Sequence, residues 1–321
     1  MQCSAVVGEP SEHPSPRHAR GSSGVRLALW GVLATACVDP DLGARVEPII
    51  GGTPTAPGAH PAVGALIGGG GTCTGTLIAP DAVLTAAHCL SVDGPLPGFT
   101  LAIDARAATP LPAAAATIHP MWDVDRAIID GPTQFYDLAV LHLAAPVVDV
   151  APMILAGPRE ARDVGDGTVV TMVGYGETID GDPASAGVKA AADATIVATS
   201  PSELQISAPG EPQNCYGDSG GPAILTLGRG DRLLGVVSRG ATVVPTCDQG
   251  TVDTRADYYL SWIRLQVPAL CGGDDECAGG PGPGYGADVT GGCASASGGG
   301  SLGIALVILA ALGRRRRRAI E

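Results

Sequence analysis

Between residues 49 and about 270, short runs of Val, Ala, Leu and Ile alternate with Gly, Pro and Asp, and this alternation restricts the fold more than any other feature of the chain. The runs at 62–67, 76–78, 82–85, 138–143, 169–173, 223–227 and 233–237 have the length of strands and are too short for helices. Closely spaced strands separated by turn residues predict an all-β sandwich or barrel rather than βαβ units. Composition agrees, because 47 of the 321 residues are Gly and 27 are Pro, with only 3% aromatics. A helical bundle or a coiled coil carries far fewer turn formers. One segment reads as helix, residues 257–266, where Tyr259, Trp262 and Ile263 recur at three- and four-residue offsets.

The two ends differ from this middle. Residues 27–36 form a ten-residue apolar run preceded by Arg17, Arg20 and Arg26, the charge-then-apolar order of a secretory leader. We expect a leader over 1–36 and a short propeptide over 37–48. Small residues before Cys37 resemble a bacterial lipoprotein signal, which would place a lipid on Cys37; a plain signal peptide fits the same residues. At the other end, residues 271–301 are mostly Gly, Ala, Ser, Asp and Pro, which cannot bury enough apolar surface to fold. Residues 302–321 then give an apolar stretch and five consecutive arginines, 314–318. This order fits a membrane anchor with its positive end inside. It also fits a sorting tail, and Gly291-Gly292-Cys293 before the apolar run resembles the MYXO-CTERM type, in which Cys293 becomes the point of attachment. Either reading exports the middle of the chain and associates it with a membrane through the tail or a lipid.

The net charge is −13, and five of the 19 positive charges lie in the arginine run. The remaining acidic surface repels phosphate backbones, so nucleic acid is not an expected partner. Nine cysteines are too many for casual cytosolic use and agree with export.

Three separated motifs carry chemistry. Thr85-Ala86-Ala87-His88-Cys89 sets an imidazole in an apolar segment, and imidazole is the commonest general base near neutral pH. Asp137 opens the apolar run 138–143, where a carboxylate at a buried edge can orient an imidazole. Gly217-Asp218-Ser219-Gly220-Gly221-Pro222 flanks a serine with glycines, whose backbone can approach a substrate closely and aim amides at a developing oxyanion. A fourth motif, Ile49-Ile50-Gly51-Gly52, follows Pro48.

Together these motifs resemble the trypsin-like serine peptidases of chymotrypsin fold. The order His, Asp, Ser and the separations of 49 and 82 residues match, over about residues 49–265. Ile118-His119-Pro120, Gly174-Tyr175-Gly176, Val237-Ser238-Arg239-Gly240 and Tyr259-Leu260-Ser261-Trp262-Ile263 are further points of likeness. The resemblance implies two six-stranded antiparallel β-barrels with a C-terminal helix, over residues 49–270. It implies a serine endopeptidase in which Ser219 is the nucleophile, His88 the base and Asp137 its orienting group. The amides of Gly217 and Ser219 would form the oxyanion hole. Cleavage before Ile49 would free an α-amino group to pair with Asp218. It further implies disulfides Cys73–Cys89 and Cys215–Cys247, with His119 in a structural place. A protein or peptide substrate, an activating peptidase and a monomeric state follow from the same likeness.

Departures bear on specificity. Pro48 stands where most of the family has Arg or Lys, which blocks most trypsin-like activators; either an unusual peptidase cuts Pro48–Ile49 or the chain remains a zymogen longer. Gln213, six residues before Ser219, is neutral where trypsin itself carries an acid, which disfavours strict cleavage after Lys or Arg. Tyr216, Ser238, Arg239 and Gly240 are the other expected substrate-binding residues, with Arg239 either favouring acidic residues upstream of the cut or lying in solvent. Thr251 would narrow the specificity pocket if it faces inward. His60 and His142 read as structural or surface residues. Asp123, Asp125 and Asp130 make an acidic loop of the kind that is ordinarily solvated, so we expect no metal; no phosphate loop or dinucleotide fingerprint calls for a cofactor. The alternative function is a catalytically silent binding or adhesion protein on the same fold, and the presence of all three triad residues argues against it.

Overall fold

The computed structural model describes residues 49–68, 71–90 and 94–270. The expectations for the leader, the propeptide, the Gly-rich linker, the tail, Cys37 and Cys293 concern residues outside these.

A two-residue strand, β1 (Thr53–Pro54), precedes two groups of six. The first group is β2 (Val63–Gly68), β3 (Gly71–Ala79), β4 (Ala82–Thr85), β5 (Gly98–Thr100), β6 (Ala113–Ile118) and β7 (Ala139–Leu143). The second is β8 (Val169–Gly174), β9 (Ala190–Thr199), β10 (Glu203–Ile206), β11 (Pro222–Leu227), β12 (Gly230–Gly240) and β13 (Thr251–Arg255). A seven-residue helix, α1 (Leu260–Gln266), follows.

The first group is one antiparallel sheet ordered β5-β2-β3-β4-β7-β6. It curls until Phe99 of β5 and Leu111, just before β6, exchange two backbone hydrogen bonds of 2.9 and 2.7 Å. The second is ordered β9-β10-β13-β12-β11-β8, and β8 pairs back onto β9, so the ring closes; β1 adds to its outer edge. Two antiparallel six-stranded units with a C-terminal helix are thus observed as expected. Closure leaves few free strand edges.

Each unit has its own core. Leu66, Leu77, Val83, Phe99 and Leu141 fill the first, and Met172, Ile196, Leu204, Ile206 and Leu234 fill the second. A third cluster lies between them, joining Leu84 and Val140 of the first to Leu233 and Val236 of the second. Tyr259, Trp262 and Ile263 pack onto it. A helix of seven residues is far below the length that holds in water, so α1 persists through this packing, at about 1.5–3 kcal/mol per large buried side chain. It begins three residues later than the sequence suggests. Asp257, the expected starting residue, accepts from the Arg255 guanidinium on both carboxylate oxygens, at 3.0 and 2.9 Å, instead of capping the helix.

Candidate active site

Strand β4 delivers a buried Thr85-Ala86-Ala87 segment to a single 3-10 turn, Ala87–Cys89, which carries His88. Asp137 sits just ahead of β7, the neighbour of β4 in the sheet, so adjacent strands bring the imidazole and carboxylate together. His88 Nδ1 lies 2.8 Å from Asp137 Oδ2, and the His88 backbone N–H donates to Oδ1 at 3.0 Å. Asp137 is 1% exposed, and Ser238 Oγ also donates to its Oδ2, at 2.7 Å. Because a carboxylate only accepts, Nδ1 carries the proton and Nε2 is the acceptor nitrogen of the neutral ring. Burial works against the charged imidazole, but the Asp137 charge and hydrogen bond outweigh it and hold His88 above its ordinary value.

The loop 215–221 belongs to the second unit but is fastened to the first. Thr74 of β3 donates its backbone N–H to Ser219 O at 2.8 Å and its hydroxyl to Gly217 O at 2.9 Å. The same hydroxyl accepts the Tyr175 N–H at 3.1 Å. Thr85 Oγ1 in turn donates to Thr74 O at 2.9 Å. Cys73, beside Thr74, is disulfide-bonded to Cys89, beside His88, and Cys89 Sγ lies 3.6 Å from Ser219 O. Ser219 is therefore held next to the His88 turn. Gly220 follows it at φ +82, and a Cβ there would meet Thr85 Oγ1 and Thr74 O at 2.1 and 2.3 Å, so only glycine permits this approach. Among the described residues, the loop hydrogen bonds use the amides of Cys215, Asp218, Gly220 and Gly221 and leave those of Gly217 and Ser219 outside the network.

Asp218 is fully buried and accepts N–H bonds from Gly176 at 2.7 Å and Cys215 at 2.9 Å. Burial, only partly offset by these two donors, pushes it up to about 7. Gly174 and Gly176 are needed here, since a Cβ on either would run into its carboxylate. Ile49 is fully buried in the second core, and Ile50 exchanges two backbone hydrogen bonds with Gln213, at 3.0 and 2.9 Å. In the uncleaved chain the Ile49 nitrogen is a peptide nitrogen, and among the described residues Asp218 has no ion-pair partner.

The other expected residues have these places. Gln213 gives its side-chain amide to Ala208 O and Glu211 O at 2.8 and 3.0 Å and accepts Gly250 N at 2.8 Å, so it braces the loops around it. Arg239 is neither solvated nor turned outward. Its guanidinium forms a two-pronged pair with Glu203, both contacts 2.9 Å, and lies 4.5 Å from the Phe135 ring. Tyr216 is 53% exposed. Gly240 ends β12, paired with Thr251. The Cys215–Cys247 disulfide is present beside them. His119 is buried among Tyr136, Tyr259 and Trp262, with ring centroids 5.2, 5.2 and 5.0 Å away, and burial lowers it to about 4.

Four residues of this neighbourhood escaped the sequence reading: Thr74, Thr254, Asn214 and Asp253. Thr254 Oγ1 donates to Asp137 O at 3.1 Å. Asn214 Nδ2 donates to Thr251 Oγ1 at 3.3 Å, and Thr251 Oγ1 to Asp253 Oδ1 at 3.2 Å. Burial raises Asp253 to about 7. Lone Thr and Asn residues carry no signal in sequence, because their partners lie on distant strands. For metals, Cys73/His88/Cys89 and Asp180/Cys215/Cys247 are the two close groups of ligand types among the described residues. In both, the sulfurs are joined as disulfides and cannot act as thiolate ligands. No helix among the described residues is long and apolar enough to cross a membrane.

A double β-barrel with an imidazole–carboxylate pair beside a glycine-flanked serine is the architecture of a serine-type endopeptidase. Comparison with known proteins agrees. The family model described as Trypsin matches residues 49–263. Brachyurin of Leptuca pugilator is 31% identical over 236 residues, which is 68% of this chain and 98% of that protein. Trypsin of Saccharopolyspora erythraea is 31% identical over 239 residues, 69% of this chain and 99% of that protein. Granzyme M of Homo sapiens is 31% identical over 248 residues, 67% and 88% respectively. The chain belongs to the trypsin family and is a serine-type endopeptidase.

Proposed function

We propose that this protein is an exported, surface-tethered endopeptidase that hydrolyses peptide bonds through Ser219, His88 and Asp137, after cleavage before Ile49. The observation that carries the reading is the 2.8 Å Asp137–His88 contact beside a serine fastened by Thr74. In the acylation step, Ser219 Oγ bonds to the scissile carbonyl carbon while its proton passes to His88 Nε2. The carbonyl oxygen becomes an oxyanion facing the Gly217 and Ser219 amides. The C–N bond then breaks, and His88 returns the proton to the leaving amine. Water repeats the cycle on the acyl-enzyme, releasing the acid and restoring Ser219. Asp137 holds the Nδ1–H tautomer throughout.

Activation would convert the Ile49 nitrogen into an ammonium for Asp218, a buried acid already braced by two amides. Pro48 on the other side of that bond means the activating peptidase is not one that cuts after Lys or Arg. Two disulfides favour an oxidising compartment. Under this reading residues 49–270 act outside the cell as a monomer, the leader and propeptide over 1–48 are removed, and residues 271–321 tether the enzyme. Labelling with a fluorophosphonate tests it. The processed protein should take the label, and Ser219→Ala should not. A processed protein that binds peptides without taking the label would instead be the silent binding module.

A further inference from the structure

Thr74 is fully buried in β3, and its hydroxyl is engaged both as acceptor and as donor. Oγ1 accepts the Tyr175 N–H at 3.1 Å, and its one proton goes to Gly217 O, at 2.9 Å. Gly217 lies at φ +102, and a Cβ there would come within 2.9 Å of Gly176 Cα. A glycine in such a place has no side chain to hold it, so the peptide units on either side turn readily unless other groups fix them.

Three successive peptide units run from Tyr216 to Ser219, and each is anchored. Tyr216 O accepts the Glu177 N–H at 2.8 Å, and Asp218 O accepts the Gly221 N–H at 2.8 Å. In a trans peptide the N–H points opposite to the C=O. These two anchors therefore turn the Gly217 and Ser219 N–H groups away from the anchoring side, and they are the two amides of the proposed oxyanion hole. The middle unit is held at both ends, with Asp218 N donating to Cys215 O at 3.0 Å and Gly217 O accepting from Thr74. Glu177, Gly221 and Cys215 act through their backbones and belong to the same barrel as the loop. Thr74 acts through its side chain and belongs to the other. Its own carbonyl accepts Thr85 Oγ1 at 2.9 Å, three residues ahead of His88, so the hydroxyl ties Gly217 to the frame that carries the base.

We infer that Thr74 is a positioning residue for the oxyanion hole, its hydroxyl fixing the Gly217 peptide so that the Gly217 N–H meets the developing oxyanion. This inference rests on the peptidase reading above and adds a residue on which the rate of that site depends. Without the hydroxyl, Gly217 O and the Tyr175 N–H lose their partner at a buried place, and the glycine turns to find others. Removal of one hole donor costs about 10²–10³ in rate, so a displaced donor should cost about ten- to a hundredfold.

Acylation by p-nitrophenyl acetate tests it, because attack on this small ester creates the same oxyanion whatever the side-chain preference of the site. The full chain cleaved before Ile49 is followed by its burst of p-nitrophenolate across a range of pH. Thr74→Val should slow the burst about ten- to a hundredfold. Thr74→Ser keeps the hydroxyl and should stay within about threefold, less than one lost hydrogen bond takes. The midpoint of the acid limb should be the same in all three proteins, because the His88–Asp137 contact is untouched. If Thr74→Val does not fold, Thr74→Ala removes the same hydroxyl and is read in the same way. A hydroxyl-free variant that bursts within about threefold of the unaltered enzyme overturns the inference, and so does an equal loss in Thr74→Ser. A loss that comes with a shifted midpoint assigns the effect to the His88 turn and overturns it too. In each of these cases the unaltered enzyme still takes the fluorophosphonate, and the peptidase reading stands. An unaltered enzyme that gives neither burst nor label removes that reading, and the inference with it.

Discussion

Ser238 Oγ donates to Asp137 Oδ2 at 2.7 Å, so a residue near the end of β12 positions the carboxylate behind the imidazole. Ser238 comes from the second barrel and Asp137 from the first. Ser238→Ala leaves a buried carboxylate oxygen short of one donor. Loss of one bond to a charged group weakens positioning by about 1.5–3 kcal/mol, so kcat should fall roughly ten- to a hundredfold. Steady-state kinetics on a short peptide measure this, with Ser238→Thr restoring most of the rate.

His88 is held above 6.5 by Asp137 against the opposing effect of burial. A general base must be neutral, so the acid limb of kcat/KM against pH should have its midpoint above 6.5. Asp137→Asn removes the raising cause and should move the limb downward along with a large loss of rate. A pH–rate profile of each protein gives both midpoints.

His119 behaves oppositely. Its folded value of about 4 lies below the unfolded 6.5, so the unfolded chain binds the proton first as pH falls. Stability should be whole above pH 6.5 and decline between 6.5 and 4, by about 3 kcal/mol over that window. Urea midpoints at a series of pH values, on enzyme blocked at the active serine, report the slope, and His119→Phe should flatten it.

Asp218 should give the uncleaved chain a pH dependence that cleavage before Ile49, under the proposed activation, would remove. Its folded value of about 7 exceeds the unfolded 3.8, so the folded chain binds the extra proton and loses stability as pH rises from about 4 to 7. Asp218→Asn should raise the melting temperature of the uncleaved chain at pH 8 while abolishing the activity gained on cleavage. Calorimetry before cleavage and fluorophosphonate labelling after it separate the two effects.

Much of this arrangement was legible in the chain. The seven apolar runs all lie in strands, because Val, Leu and Ile between turn residues leave little alternative. Strands β1, β5, β6, β9, β10 and β13 lie outside those runs; β6 and β9 are dominated by alanine, which favours helix in isolation and becomes strand only because neighbours on both sides supply the ladder. The Ser219 motif announced itself through its glycines, and His88 and Asp137 through their order and spacing relative to it. Thr74 did not, since a threonine in a strand looks the same whether or not a serine loop hangs from it. Arg239 read as a specificity residue because its partner, Glu203, is 36 positions away and unremarkable in sequence.

Thr74 makes the serine loop of one barrel depend on a strand of the other, and His88 with Asp137 belongs wholly to that other barrel. Neither half carries a working centre alone. On the peptidase reading, a first barrel emerging during synthesis would carry a base and no nucleophile, and nothing could be cut until the second had closed and docked. The chain would thereby be protected from its own chemistry at the stage when it is most exposed to proteolysis.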